Sequence, residues 1–124
     1  MILADDLGWN DVGYHGSEIR TPSLDRLAAN GVVLNQFHSQ PTCTPTRAAL
    51  MTGKSPQRMG IYRQFAKIST AGLPPEERTI GDHLKQARYQ TWLVGKWHLG
   101  HARQAFHPNA RGFDHFYGHE IGRA

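Results

Sequence analysis

The sequence lacks a pair of cysteines, a long apolar run and a cluster of basic residues, each of which would indicate a class of protein. A single cysteine, Cys43, excludes an internal disulfide framework and leaves the redox compartment open. No segment approaches the run of about eighteen apolar residues that spans a membrane. Fourteen Lys and Arg against ten Asp and Glu give a net charge of +4, but the basic residues are scattered singly. We therefore expect an anionic small substrate and no nucleic acid.

The chain of 124 residues is long enough for about one domain and short for a hydrolase. Its apolar start at residues 1–4 has no preceding turn or cap. This pattern predicts a partial domain over residues 1–124, truncated at both ends.

Apolar runs and turn residues predict short strands that alternate with short helices. Strands are expected at residues 2–4, 32–37 and 91–94, and helices are expected to begin at Pro22, near Cys43 and after Thr79, where Asp82 completes a capping pair. The first helix should bury Leu24, Leu27 and Ala28, and the last should bury Ile80, Leu84 and Ala87. Residues 55–77 are rich in Pro and Gly and should be mostly irregular, and the stretch after Gly100 has no clear period.

This alternation predicts an α/β fold with a largely parallel sheet flanked by helices. Ligands bind such sheets beyond the carboxyl ends of the strands. Asp5 and Asp6 follow one predicted strand, and Lys96 and His98 follow another. We expect these residues and Cys43 to meet at one edge of the sheet.

Cys43 opens the run C-T-P-T-R at residues 43–47, ahead of a small apolar segment that ends at Gly53. Proline near a helix start and glycine after its end place the thiol at or just before a helix N-terminus. Unpaired amides and the helix dipole favour an anion there, and Arg47 lies on the same side four residues on. The alternatives at this point are a small buried cysteine and an activated thiolate.

Two further pairs carry candidate chemistry. Asp5 and Asp6 are candidate ligands of a hard divalent cation if the chain turns at Leu7 and Gly8, and otherwise they are an exposed loop pair. Lys96 and His98 share a side if the strand continues, where both can donate hydrogen bonds to an anion. The alternative is a solvated lysine beside a packed histidine.

Three of these motifs together resemble the type I sulfatases of the alkaline-phosphatase-like superfamily. C-T-P-T-R matches their C-x-P-[ST]-R signature, residues 95–100 match the second signature G-K-W-H-L-G, and residues 3–8 are similar to the first strand and its two aspartates. The resemblance implies that Cys43 is oxidised to formylglycine by a formylglycine-generating enzyme and that Arg47 steadies it. It also implies that Asp5, Asp6 and modified Cys43 bind calcium, with magnesium as the alternative, while Lys96 contacts the sulfate and His98 orients the formylglycine hydrate or ester oxygen.

The implied reaction is sulfate ester hydrolysis, in which a hydroxyl of the formylglycine hydrate attacks sulfur, the alcohol leaves, and the aldehyde re-forms as sulfate is expelled. Residues 11–22 are similar to the arylsulfatase B branch, and R-G-F-D at residues 111–114 is a common sulfatase element, so sulfated sugars or glycosaminoglycans are the expected substrates. The family completes its site with a second lysine, a histidine and further metal ligands that cannot be assigned here, so this chain alone is expected to be inactive. The family also implies a secreted, periplasmic or lysosomal protein. A metal-dependent phosphoesterase of the same superfamily and a non-catalytic remnant remain the alternatives.

Overall fold

The computed structural model describes residues 1–121, which fold as two compact units divided after His38. The first unit, residues 1–38, contains helix α1 (Pro22–Ala29) and two single 3-10 turns (Trp9–Asp11 and Gly13–His15). The second unit begins at Ser39 and contains α2 (Cys43–Thr52), α3 (Ile80–Gln86) and strands β1 (Trp92–Lys96) and β2 (His115–His119). Among residues 1–121, no helix has the length and apolar character needed to cross a membrane.

A short polar network fixes the start of α1 in the first unit. Thr21 Oγ1 donates to Asp25 Oδ1 at 2.9 Å and accepts the Gly13 amide at 2.7 Å, while the Tyr14 amide donates to the same carboxylate at 3.0 Å. Because Thr21 precedes the helix and Pro22 is its first residue, the predicted start is confirmed. The predicted burial is wrong, since Leu24 and Leu27 are 39% and 68% exposed.

Two predicted strands are absent from the first unit. Residues 2–4 and 32–37 form no ladder within the described chain, and Ile2, Val32 and Phe37 are largely exposed. An apolar run favours extended backbone, but a strand also needs a neighbour that accepts its amides and donates to its carbonyls. The apolar pattern alone did not identify such a neighbour.

The second unit contains a parallel pair of strands and the larger core. β1 pairs with β2 in a register that joins Trp92 to His115 and Lys96 to His119, which confirms the α/β class and the predicted strand near residues 91–94. The buried core lies mainly on α2 and on the loops around the strands; its members are Ala48, Met51, Met59, Ile61, Leu73, Trp97, Leu99 and Phe113. β2 was missed, because its sequence H-F-Y-G-H has no clear apolar alternation.

Helix α3 shows the capping pair that the sequence predicts. Thr79 Oγ1 accepts the Asp82 amide at 3.2 Å, and Asp82 Oδ2 accepts the Thr79 amide at 2.8 Å. The predicted buried stripe is again wrong, because Ile80 and Leu84 are 38% and 37% exposed. The helix instead uses Gly81 as its buried contact, close to the Gly112 backbone.

Candidate active site

Cys43 is the first residue of α2, as its sequence context predicts. Thr42 before it is extended, and Gly53 ends the helix with φ +68° while its amide donates to the Ala49 carbonyl at 2.8 Å. Cys43 is partly buried, and Thr44 and Pro45 after it are buried. The thiol therefore lies at a helix N-terminus, where the first amides have no intrahelical acceptor.

Lys96, the last residue of β1, is held to this helix start by both its side chain and its backbone. Its ammonium Nζ lies 3.2 Å from the Cys43 sulfur. Arg47 lies one turn into α2, is 6% exposed, and donates from Nη1 to the Lys96 carbonyl at 2.5 Å. The lysine ammonium thus lies beside position 43, and the arginine secures the strand end that carries the lysine.

His98 joins the same cluster through Thr44. The buried Thr44 hydroxyl donates to the His98 carbonyl at 3.1 Å and accepts the Phe65 amide at 3.1 Å. His98 Nε2 lies 2.9 Å from the Phe65 carbonyl oxygen. Sequence reasoning assigned no role to Thr44 or Phe65, because these contacts join segments that are far apart in the chain.

Strand alternation does not place Lys96 and His98 on one side, because the predicted condition of a continued strand is not met. β1 ends at Lys96, and His98 adopts φ +58°, so the alternation of a continued strand does not apply. The two residues are instead gathered by Arg47 and Thr44, which bind the Lys96 and His98 carbonyls from α2.

Arg111, in the R-G-F-D element, is a buried cation that holds the loop leading into α3. Its guanidinium donates to the carbonyls of Leu73, Pro74 and Glu77, and burial lowers the arginine's pKa against the opposing effect of Asp82 and nearby glutamates. The Leu73 amide in turn donates to the Leu99 carbonyl at 2.8 Å, next to His98. Arg111 therefore stabilises the loop at residues 73–77, which contacts Leu99 next to His98.

Asp5 and Asp6 lie in the first unit, in a bend after the extended start of the chain. Both are exposed, and Asp6 has φ +58°, which breaks the alternation that would separate adjacent side chains. A carboxylate oxygen of Asp5 lies within 4.8 Å of one from Asp6. Two converging carboxylates suit a hard divalent cation, so this pair fits the metal that the sequence motif implies.

Comparison with known proteins agrees with these motifs. A family model described as Sulfatase matches residues 1–124. The chain is 48% identical to arylsulfatase J of Mus musculus over 98% of its own length and 21% of that protein, and 45% identical to arylsulfatase G of Homo sapiens over 98% and 24%. It is 44% identical to N-acetylgalactosamine-6-sulfatase of Homo sapiens over 95% of its own length and 24% of that protein.

A crystal structure of Ps i-CgsB superimposes with a TM-score of 0.83 at 39% identity, covering 98% of this chain and 27% of that one. The chain thus spans about a quarter of the length of the relatives that it matches. The family implies a metal and a formylglycine, which agrees with the aspartate pair and with Cys43. The Sulfatase family model matches residues 1–124, and the relatives above are 44% to 48% identical to this chain. This chain therefore belongs to the sulfatase family.

Proposed function

We propose that this protein hydrolyses sulfate esters, with Cys43 as the residue that becomes formylglycine. The observation that carries the proposal is the lysine ammonium, Lys96 Nζ, 3.2 Å from the sulfur of a cysteine at a helix N-terminus. Converted to formylglycine, position 43 supplies the hydrated aldehyde whose hydroxyl is the nucleophile of this family. An unmodified thiol is not needed for that chemistry.

The charges around position 43 suit a sulfate group. Lys96 contributes an ammonium, Arg47 a buried guanidinium and α2 the positive end of its dipole. Charge that gathers on sulfuryl oxygens during transfer is stabilised by such fixed cations, as in phosphoryl transfer. We assign Lys96 to the sulfate oxygens, Arg47 to the support of position 43, and His98 to the formylglycine hydrate or ester oxygen.

Calcium is the metal that we propose, held by Asp5, Asp6 and modified Cys43, with magnesium as the alternative. When bound, such an ion stabilises negative charge on the substrate oxygens. In the full-length protein, chelation should lower the melting temperature and calcium should restore it. The Asp5→Asn and Asp6→Asn variants should lose that calcium response, whereas the exposed control Glu18→Gln should keep it. A calcium response equal in all four proteins would contradict the assignment.

The proposed substrates are sulfated sugars. One relative is named N-acetylgalactosamine-6-sulfatase, and the structure of Ps i-CgsB has also been solved in complex with k-i-k-neocarrahexaose. These names support a sulfated sugar as the substrate, and the relatives named arylsulfatases support an aryl sulfate as a reporter. The similarity of residues 11–22 to the arylsulfatase B branch stays a prediction.

A formylglycine-generating enzyme is the proposed partner. Mass spectrometry of the peptide that contains Cys43, after coexpression with that enzyme, should show loss of the thiol and gain of the aldehyde. An entirely unmodified cysteine, under conditions that convert a known sulfatase, would contradict both the partner and the mechanism.

Turnover of 4-nitrophenyl sulfate by the full-length protein tests the reaction itself. The coexpressed wild type should release nitrophenol, and Cys43→Ala should lose essentially all turnover because no aldehyde can form. Equal rates for the two proteins would make the assignment wrong. Faster turnover of 4-nitrophenyl phosphate than of the sulfate would favour a phosphoesterase. No turnover of either ester or of a sulfated oligosaccharide by fully modified protein would indicate a non-catalytic remnant.

A further inference from the structure

Thr44 closes a ring of hydrogen bonds around His98. Its hydroxyl donates to the His98 carbonyl and accepts the Phe65 amide, each at 3.1 Å, and the Phe65 carbonyl lies 2.9 Å from His98 Nε2. Thr44 has no measurable exposure and His98 is 4% exposed. The buried Thr44 hydroxyl therefore contacts the backbone of His98 and also the backbone of Phe65, which the His98 imidazole contacts.

The ring of hydrogen bonds fixes the conformation of His98. Its φ of +58° is unusual for a residue with a side chain, and both of its peptide groups are engaged: the amide donates to the Glu120 carbonyl at 3.0 Å, and the carbonyl accepts from Thr44. Removing the hydroxyl leaves the His98 carbonyl and the Phe65 amide without this buried partner. The left-handed backbone at His98 then loses one of its two anchors.

The same ring fixes the protonation pattern of the imidazole. A carbonyl oxygen only accepts, so the contact with Phe65 requires the proton on His98 Nε2. In the neutral ring, Nδ1 is then the basic nitrogen. The residue whose carbonyl selects this tautomer is itself bound to Thr44, because the Phe65 amide donates to the Thr44 hydroxyl.

From these contacts we infer that Thr44 is a positioning residue that sets the orientation and tautomer of His98. The inference rests on the proposed function, in which His98 acts at position 43. Thr44 directly follows Cys43 in the sequence and binds the His98 carbonyl. It therefore connects the modified cysteine to the histidine of the second signature. Thr44 itself contacts neither substrate nor the reacting atoms in this role.

Two matched pairs of residues at position 44 isolate the hydroxyl in the full-length, coexpressed protein. Wild type against Thr44→Val compares side chains of nearly equal shape, and Thr44→Ser against Thr44→Ala repeats the comparison without placing a methyl group at the hydroxyl position. Formylglycine content is measured by mass spectrometry, and kcat is divided by it, so that altered modification cannot imitate altered catalysis. Thr52→Val is the control, because the Thr52 hydroxyl lies at the end of the same helix, where it donates to the Ala48 carbonyl at 2.7 Å and accepts the Lys54 amide at 3.3 Å, and neither contact involves His98.

Per formylglycine, Thr44→Val and Thr44→Ala should lower kcat for 4-nitrophenyl sulfate by about tenfold or more with KM changed by less than about twofold. Thr44→Ser should recover kcat to within about threefold of wild type, and Thr52→Val should leave it unchanged. A kcat within about twofold of wild type in folded Thr44→Val would overturn the inference, as would equal losses in the Ser and Val variants. If neither hydroxyl-free variant folds, the hydroxyl determines the fold rather than His98 geometry, and the inference is wrong.

Nitrogen-15 shifts of the His98 ring provide a readout that needs no turnover, with His98→Gln to assign the signal. The wild type and Thr44→Ser should show the Nε2–H form, and Thr44→Val should show a mixture of tautomers. An unchanged Nε2–H signature in Thr44→Val would contradict the inference. If the wild type shows this signature but hydrolyses no sulfate ester, then the proposed function fails and the positioning inference still stands or falls on the shifts.

Discussion

The ammonium of Lys96 lies 3.2 Å from the sulfur of Cys43, although the two residues are 53 positions apart in the chain. One belongs to the end of β1 and the other to the start of α2. Arg47 joins the same two elements by donating to the Lys96 carbonyl. The contact between signature residues is therefore supported by the backbone as well as by the side chains.

Replacement of Lys96 by methionine should impair catalysis much more than stability. The variant keeps most of the stem but loses the ammonium beside position 43, so charge on the transferring group loses a fixed partner. We expect kcat/KM per formylglycine to fall by about 10²-fold to 10³-fold. Turnover of 4-nitrophenyl sulfate, divided by aldehyde content from mass spectrometry, measures the effect.

The exposed Lys67 provides the matched control, since Lys67→Met removes the same charge from an exposed side chain in the loop that follows Phe65. It should retain the wild-type kcat/KM. If Lys96→Met and Lys67→Met behave alike, the ammonium has no special role at position 43.

Replacement of Arg47 by methionine should destabilise the protein even before Cys43 is modified. The guanidinium is 6% exposed and donates to the Lys96 carbonyl at 2.5 Å, so its loss leaves a partly buried acceptor without that donor. The expected cost is about 1 to 3 kcal/mol. Thermal unfolding of protein produced without the formylglycine-generating enzyme separates this effect from any change in modification.

Arg58 is the comparison for Arg47, because it is an exposed arginine on the 3-10 turn Pro56–Met59, which follows α2. Arg58→Met should shift the melting temperature little. Arg47→Lys should recover only part of the loss, because a single ammonium does not reproduce the planar donor set of arginine. An Arg47→Met melt that matches the Arg58→Met melt would contradict the anchoring role.

Local signals in the sequence identified the elements that carry the site. The start of α2 at Cys43, its end at Gly53 and the Thr79 cap all depend on residues within a few positions of each other. β1 was predicted within two residues of its bounds, because it is a compact apolar run followed by glycine. The family signatures then indicated which side chains carry chemistry.

Contacts between distant segments were not predictable in the same way. β2 was missed because its pairing with β1 is a tertiary contact that its own sequence does not indicate. The runs at 2–4 and 32–37 were wrongly predicted as strands because their apolar residues suggested strands although no paired strand is present in the described chain. The Thr44 contacts reach 21 and 54 positions along the chain. No periodicity or spacing rule identifies a hydroxyl as the link between two loops.

Replacement of Gly112 by alanine should destabilise the protein more than replacement of a glycine that has a positive φ but open space around its Cβ position. It has φ +83°, and an added Cβ would overlap the backbone of Gly81 and Asp82 at the start of α3. Gly60 has φ +71° with nothing within 4 Å of its Cβ position, so Gly60→Ala measures the backbone strain alone. We expect about 1 kcal/mol for Gly60→Ala and at least about twice that for Gly112→Ala. Equal shifts in melting temperature would mean that the close approach adds no cost.

Asp114, two residues after Gly112, connects this turn to Lys85 of α3 and to Thr91, the residue before β1. Its Oδ1 lies 2.8 Å from Lys85 Nζ, and its Oδ2 accepts the Thr91 amide at 3.0 Å and the Thr91 hydroxyl at 3.1 Å. The hydrogen bond from Lys85, followed by those from Thr91, lowers the pKa of the Asp114 carboxyl from 3.8 to about 2. The ionised form is therefore the one that the fold stabilises.

Acid should remove this contribution within a defined window of pH. A carboxyl with a lowered pKa in the folded state stabilises fully above its unfolded pKa of about 3.9, and the effect is lost as pH falls through the folded pKa of about 2. Asp114→Asn should therefore melt below wild type between about pH 5 and 7, and the gap should close as pH falls from about 4 to 2. Taking the difference between the two melting temperatures at each pH cancels the effect of the other carboxyls. Glu18→Gln, which removes an exposed carboxyl from the first unit, should give no such narrowing. A gap that stays constant down to pH 2 would show that shape, rather than the charge of Asp114, stabilises the turn.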